Sequence, residues 1–208
     1  MKSYPGNVEA EKMTSQQNKT ATMTNQPLEE ENLTARQRRA VECFNNNMHC
    51  SQSVLYAFAE ECGIPEEMAF RLGSCFGSGM RKGNVCGACA GALMVLGLLF
   101  GESHMSDKDE RQRSNQMNDE MMNRFAQANG TCICNDLLGC DIATEEGRQY
   151  ARSNGLFKEF CPKMVASAVG ILEDIIREMN DADTLFEKFG EKGISYKVVD
   201  IHRKNALK

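Results

Sequence analysis

The stretch Cys86-Gly87-Ala88-Cys89-Ala90-Gly91-Ala92-Leu93-Met94-Val95-Leu96-Gly97-Leu98-Leu99-Phe100 decides the class of the fold. Its second half, Ala92 to Phe100, is a continuous apolar run in which Val95 is the single β-branched residue. Straight-chain apolar residues lose little rotamer freedom in a helix, so the run reads as helical. It is far shorter than the ~20 residues needed to span a bilayer. A buried core helix from Cys86 to Phe100 is therefore expected, with the rest of the chain packed around it.

Working outward from this helix gives further helices. Upstream, Gly73 to Asn84 holds four glycines and is expected as a loop or series of turns, a flexible flap over Cys86. Before it, Pro65 opens a short helix through about Leu72, and Cys62-Gly63 ends one running from Ser51 to Glu61. Thr34 can cap a helix through about Asn45. Downstream, a long polar helix is expected from Ser106 to Ala128, stopped by Asn129-Gly130. Cys132 to Asn154 reads as irregular with one short helix. Pro162 begins a last strong helix through about Met179, with Val165, Val169, Leu172 and Ile176 on one face. The expected architecture is all-α: a compact multi-helix bundle over residues 33–180, a flexible polar leader over 1–32 and a C-terminal arm over 181–208. Ile194-Ser195-Tyr196-Lys197-Val198-Val199 fits either a lone strand or an arm packed on a partner.

Composition narrows the functions. The 208 residues include 24 basic and 29 acidic side chains, a net charge of −5. That balance argues against nucleic-acid or anionic-membrane binding as the main role. The N-terminus, Met1-Lys2-Ser3-Tyr4-Pro5-Gly6, lacks the apolar segment of a secretory signal, so a cytoplasmic location without membrane insertion is expected. Ten cysteines then stand out. In a reducing compartment such thiols more often bind metal or carry out redox chemistry than form structural disulfides.

Three of the ten lie at expected helix starts. Cys50 precedes the Ser51 helix, Cys86 opens the apolar helix, and Cys161 lies just before Pro162. Free N–H groups and the positive end of the helix dipole favour a thiolate there, and the thiolate is both nucleophile and metal ligand.

Four cysteine motifs also carry a resemblance. Cys50-Ser51-Gln52-Ser53-Val54-Leu55, the Cys86-to-Gly97 run, Cys134-Asn135-Asp136-Leu137-Leu138-Gly139 and Cys161-Pro162-Lys163-Met164-Val165 resemble, in that order, the motifs of the C_GCAxxG_C_C family of redox-active proteins. The likeness extends from about Gln37 to Arg177. It implies a small helical redox protein whose hallmark cysteines are Cys50, Cys86, Cys134 and Cys161, with a signature on Cys86, Gly87, Ala88 and Gly91. It supplies a site and no substrate.

These four are 36, 48 and 27 positions apart, so only the fold can bring them together. Small residues after Cys86 would let another helix or a cluster approach closely. Four convergent thiols suit tetrahedral zinc or an iron–sulfur cluster. They also suit exchanging dithiol pairs, and the bland reading makes each a small buried hydrophobe. Cys86-Gly87-Ala88-Cys89 is in addition a CxxC at a helix start. Without a βαβ setting it does not indicate a thioredoxin, and Ala90 stands where a haem site needs His.

Three function classes follow. The first is electron transfer at a metal or iron–sulfur centre held by Cys50, Cys86, Cys134 and Cys161. The second is thiol–disulfide chemistry with Cys86 as nucleophile and Cys89, or another family cysteine, as the resolving thiol. The third is a non-catalytic structural zinc or helical interaction module, able to form a homodimer through the polar helix and C-terminal arm. The first two need a redox partner that the sequence does not identify. Cys132 and Cys140 read as extra ligands or incidental thiols; Cys43, Cys62 and Cys75 read as core or loop thiols. His49 is a candidate ligand or proton partner, or simply a helix-start residue. Arg81 and Lys82 could raise the local positive potential or be plainly solvated. Met117, Met121 and Met122 read as packing or a dimer contact rather than copper ligands.

Overall fold

The computed structural model describes residues 30–181. The expected leader falls on 1–32 and the expected arm, with its Ile194–Val199 segment, on 181–208, so nearly all of both lies outside the described residues. Within them the chain is all-α. A short 3-10 turn, Glu30–Asn32, leads to α1 (Ala35–Asn45), α2 (Cys50–Ala57), α3 (Glu66–Gly73), α4 (Gly87–Phe100), α5 (Lys108–Asn129), α6 (Cys134–Leu138), α7 (Glu145–Ser153) and α8 (Cys161–Asn180).

Local chemistry explains most boundaries. Thr34 accepts from the Gln37 N–H at 3.1 Å while the Gln37 side chain accepts from the Thr34 N–H at 2.8 Å, a reciprocal cap that starts α1. Asp107 accepts from the N–H groups of Asp109 and Glu110, so α5 starts at Lys108, two residues after the expected Ser106. Gly130, with φ +89°, ends it. The helix expected through Glu61 stops at Ala57, because Phe58 and Ala59 switch to three-residue bonds with Leu55 and Tyr56. The segment expected to be irregular with one short helix holds two, α6 and α7. Thr144 caps the second by accepting from the Gly147 N–H at 3.0 Å, a signal present in Thr144-Glu145-Glu146-Gly147.

The apolar helix α4 is wrapped by α2, α5 and α8, while α1 lies against α2 and α8, and α3 against α2. The core joins Val54, Leu55 and Phe58 to Ala92 and Val95, then to Met121, Phe125, Val165, Val169 and Leu172, all essentially buried. A smaller cluster around Leu138, Ile142 and Ala151 sits beneath α6 and α7 and includes Cys134 and Cys161. No helix among the described residues is long and apolar enough to cross a membrane.

Candidate four-cysteine redox site

Each hallmark cysteine sits at a helix start. Cys50 is the first residue of α2, Cys86 the N-cap of α4, Cys134 the first residue of α6 and Cys161 the first residue of α8. Sequence reasoning placed three of these. The fourth escaped it because α6 spans five residues, too few for a hydrophobic period to register.

Three local features draw the four together. Val85 and Ile133 form an isolated antiparallel bridge, bracketed by Cys86 N–H to Cys132 C=O at 2.8 Å and Cys134 N–H to Asn84 C=O at 2.7 Å. That bridge fixes Cys86 beside Cys134. Next, α4 crosses α2 at its glycines: a Cβ on Gly87 would stand 3.3 Å from the Cys50 Cβ and 2.8 Å from the Phe76 carbonyl oxygen. Only a bare Cα allows Cys86 and Cys50 to share this corner. Finally, a turn of π-type helix, Leu156–Phe160, begins at Gly155 with φ +68° and delivers Cys161 to the same place.

The loop between α3 and α4 completes the site. Ser78, Gly79, Met80 and Arg81 all have φ between +54° and +58°. Left-handed backbone costs an L-residue roughly 1–2 kcal/mol, so this is a strained turn. Its effect is to aim the Ser78 N–H at the Cys50 sulfur. Gly77 allows the chain to pass against His49, where a Cβ would stand 2.8 Å from the ring. His49 is itself exposed and serves as the N-cap of α2, its N–H donating to the Gln52 side chain at 2.8 Å.

Electrostatics separates the four thiols. Hydrogen bonding from the Cys161 thiol lowers the pKa of Cys50 against the opposing effect of burial, and the N–H groups of Ser78 and Cys50 lower it further. Cys161 is pushed well up, first by that same bond and then by burial. Burial, then the charges of Cys50 and Cys134, raise Cys86 well above an ordinary thiol, although the N–H groups of Ala88 and Cys89 point at its sulfur. Burial pushes Cys134 up to about 12. The largest influences on the four are thus burial, the other cysteines and backbone N–H donors. Cys50 keeps some exposure, whereas Cys86, Cys134 and Cys161 are buried.

The remaining candidates fall elsewhere. Cys89 lies on the inner face of α4, its thiol donating to the Met122 sulfur at 3.5 Å, and burial followed by Cys132 pushes it up to about 12. Cys140 acts on Cys134 from the edge of the site. Cys43 and Cys62 belong to the α1–α3 side, and Cys75 is exposed. Arg81 and Lys82 are exposed, with Arg81 acting on Glu145. His104 pairs with Glu110 at 3.0 Å on the surface, and His202 lies outside the described residues.

The sequence matches, over residues 48–175, the family described as "Putative redox-active protein (C_GCAxxG_C_C)", more than half of the chain. The chain belongs to that family. All four C_GCAxxG_C_C hallmark cysteines lie inside the matched region. No curated protein and no solved structure matches the chain. As to a metal, four thiols are a suitable donor set for a soft ion. Among the described residues, however, no group of three or more His, Cys, Asp or Glu side chains is positioned to hold one.

Proposed function

We propose that the chain is a thiol–disulfide redox protein whose working pair is Cys50 and Cys161. The observation that carries this reading is their mutual influence at neighbouring helix starts: Cys161 is the largest cause lowering the Cys50 pKa, and Cys50 the largest raising that of Cys161. A nucleophile needs thiolate character, and Cys50 is the one of the four whose pKa is lowered. Cys161 keeps its proton, as a resolving thiol should before its turn.

The exchange balances as follows. The Cys50 thiolate attacks one sulfur of a partner's disulfide, forming a mixed disulfide and releasing the partner's other sulfur as a thiolate. That thiolate takes up the proton lost by Cys161. The Cys161 sulfur then attacks Cys50, the mixed bond breaks, and the partner's second thiol leaves. The partner gains two electrons and two protons in total, one proton coming from solvent. The Cys50–Cys161 pair becomes a disulfide. In this reading Cys86 and Cys134 hold the pocket, and Cys89 lies outside the exchange.

A second reading keeps the four-cysteine metal centre, with iron–sulfur or zinc as the occupant. What favours it is the meeting of four helix starts, each bearing a sulfur. The side chains would have to turn inward to coordinate, so no step is derived through the metal. The zinc form of this reading includes a purely structural role.

One preparation separates them. Anaerobically purified protein is assayed for iron, sulfide and zinc, then titrated in thiol–disulfide buffers with the products mapped by mass spectrometry. Metal-free protein with a two-electron couple that yields a Cys50–Cys161 bond, and that is lost in Cys161→Ser, supports the first reading. Stoichiometric iron and sulfide with visible absorption, or colourless stoichiometric zinc, overturns it in favour of the second.

A further inference from the structure

We propose that the exposed apolar surface of α3 and the turn after it is the docking face for the protein that exchanges its disulfide with Cys50. The occupant is a partner with acidic and apolar residues beside its cysteine. This inference rests on the thiol–disulfide reading above.

Eight large apolar side chains are exposed among the described residues, and five of them, Met68, Phe70, Leu72, Phe76 and Met80, fall between positions 68 and 80. Single exposed hydrophobes are ordinary, whereas a cluster marks a surface that meets something. The helix α3 turns its small residues inward. Ala69 and Gly73 are buried where it packs on α2, while Met68, Phe70 and Leu72 stay 44–48% exposed. Covering those three would remove apolar area from water, a gain the folded chain leaves for a partner.

Hydrogen bonds place this surface at the exchanging thiol. The Phe70 carbonyl accepts from the Gln52 side chain at 2.9 Å, and the Gly73 carbonyl accepts from the Ser51 hydroxyl at 2.6 Å. Both donors lie in the first turn of α2, which begins at Cys50. The chain then follows the start of that helix. A Cβ on Gly73 would stand 2.7 Å from the Gln52 Cα, and one on Gly77 would stand 2.8 Å from the His49 ring. Met80 belongs to the left-handed turn that comes next, with φ +57°. Strained backbone persists where it serves a use, and here it holds out a side chain that adapts to varied apolar partners.

Charge selects the occupant. At one end of the surface Glu66 and Glu67 are neutralised by Arg39 and Arg71, each at 2.7 Å. At the other end Arg81 and Lys82 are exposed and form no ion pair among the described residues. Glu145, on which Arg81 acts, is already paired with Arg148 and Arg152. The rim beyond Met80 therefore carries two uncompensated positive charges on a chain of net charge −5. Carboxylates on a partner complement them and steer its approach. A second copy brings the same net negative charge and would have to leave before each exchange. A modest apolar face with a charged rim suits brief redox encounters, which bury less than ~1,200 Å².

The test uses the full reduced chain and a synthetic peptide whose cysteine, flanked by aspartates and leucines, is disulfide-bonded to thionitrobenzoate. Attack on it releases a coloured thiolate. Two altered peptides carry lysine for aspartate or serine for leucine, and the disulfide of free cysteine with thionitrobenzoate is the reference. Each peptide rate is divided by the reference rate of the same chain. The aspartate–leucine peptide should lead both altered peptides about 10-fold, and its lead over the lysine peptide should shrink in high salt. Phe70→Ser/Leu72→Ser should remove the preference for leucine, and Arg81→Gln/Lys82→Gln the preference for aspartate. Circular dichroism monitors the fold, and should one variant not fold, the other decides. Anisotropy of a dye-labelled peptide with serine for cysteine reads binding without exchange. If no disulfide reacts, the thiol–disulfide reading fails, and this binding, kept by wild-type and lost in the variants, still decides the docking face. The proposal is overturned if all peptides react and bind alike, or if both variants keep the wild-type preferences. It is also overturned if Phe70→benzoylphenylalanine photo-crosslinks to a second copy, or to residues 1–29 or 182–208 of its own chain, instead of to the peptide.

Discussion

Gly91 lies directly on the backbone of Ser51: a Cβ there would stand 2.7 Å from the Ser51 carbonyl oxygen and 3.0 Å from its Cα. Backbone cannot swing aside as a flexible side chain can. The crossing of α2 and α4, and with it the distance between Cys50 and Cys86, is set by this absent methyl. Gly91→Ala should therefore destabilise by about 1–3 kcal/mol, the usual cost of overpacking a tight contact. Gly97, on the same helix, has nothing within 4 Å of its added Cβ. Gly97→Ala should stabilise by about 0.5–1 kcal/mol, because it removes backbone entropy from the unfolded chain. Urea denaturation of the two variants under reductant checks the pair. Equal shifts would show that the close crossing is not what holds the helices.

The reactivity of Cys50 should be pH-dependent in an identifiable way. Its pKa is lowered, chiefly by Cys161, so the thiolate persists below the pH at which an ordinary thiol ionises. The rate of iodoacetamide labelling at Cys50, followed by mass spectrometry, should inflect at lower pH than that of a free cysteine peptide, whose thiol ionises near pH ~8.5. In Cys161→Ala the inflection should move up. An unchanged inflection would remove Cys161 as its cause.

Alkaline stability follows from the buried thiols. Cys62, Cys89 and Cys134 are each pushed up to about 12, first by burial. The folded chain holds these protons while the unfolded chain releases them near pH ~8.5. Their contribution is fully present below that pH and is lost as pH rises toward 12. Urea midpoints should fall steadily above pH ~8.5, and Cys62→Ala should flatten the decline. A midpoint independent of pH up to 11 would contradict this assignment.

The left-handed turn offers a fourth test. Met80 is exposed and has φ +57°. Met80→Gly relieves the steric cost of that conformation and should stabilise by about 1 kcal/mol, whereas Met80→Val, branched at Cβ, should destabilise. Thermal unfolding of both decides, and a Met80→Gly chain no more stable than wild-type would show the turn is unstrained.

The bundle was legible in the sequence where chemistry is local. The apolar run fixed α4, Thr34 and Gly130 marked their helix ends, and Pro162 announced α8 within one residue. Three thiols at helix starts could be read in the same way. What could not be read depends on distant chain. The bridge between Val85 and Ile133 has no periodic signature, yet it brings Cys134 to Cys86. The Ser78 donor is a backbone N–H, made available by conformation and not by side-chain type. Spacing left Cys89 as either a resolving partner of Cys86 or a small core residue, and only the fold shows its sulfur turned toward Met122.

Cys50 and Cys161 stand 111 positions apart in the chain. A bond between them would tie the start of α2 to the start of α8 and enclose α2 through α7 in one ring. Closing a ring of that size without strain restricts the unfolded chain by about 5 kcal/mol. Oxidation would then have a mechanical side. The oxidised molecule would open far less often than the reduced one, so a protease sampling rare unfolded states could read the redox state from the chain's lifetime.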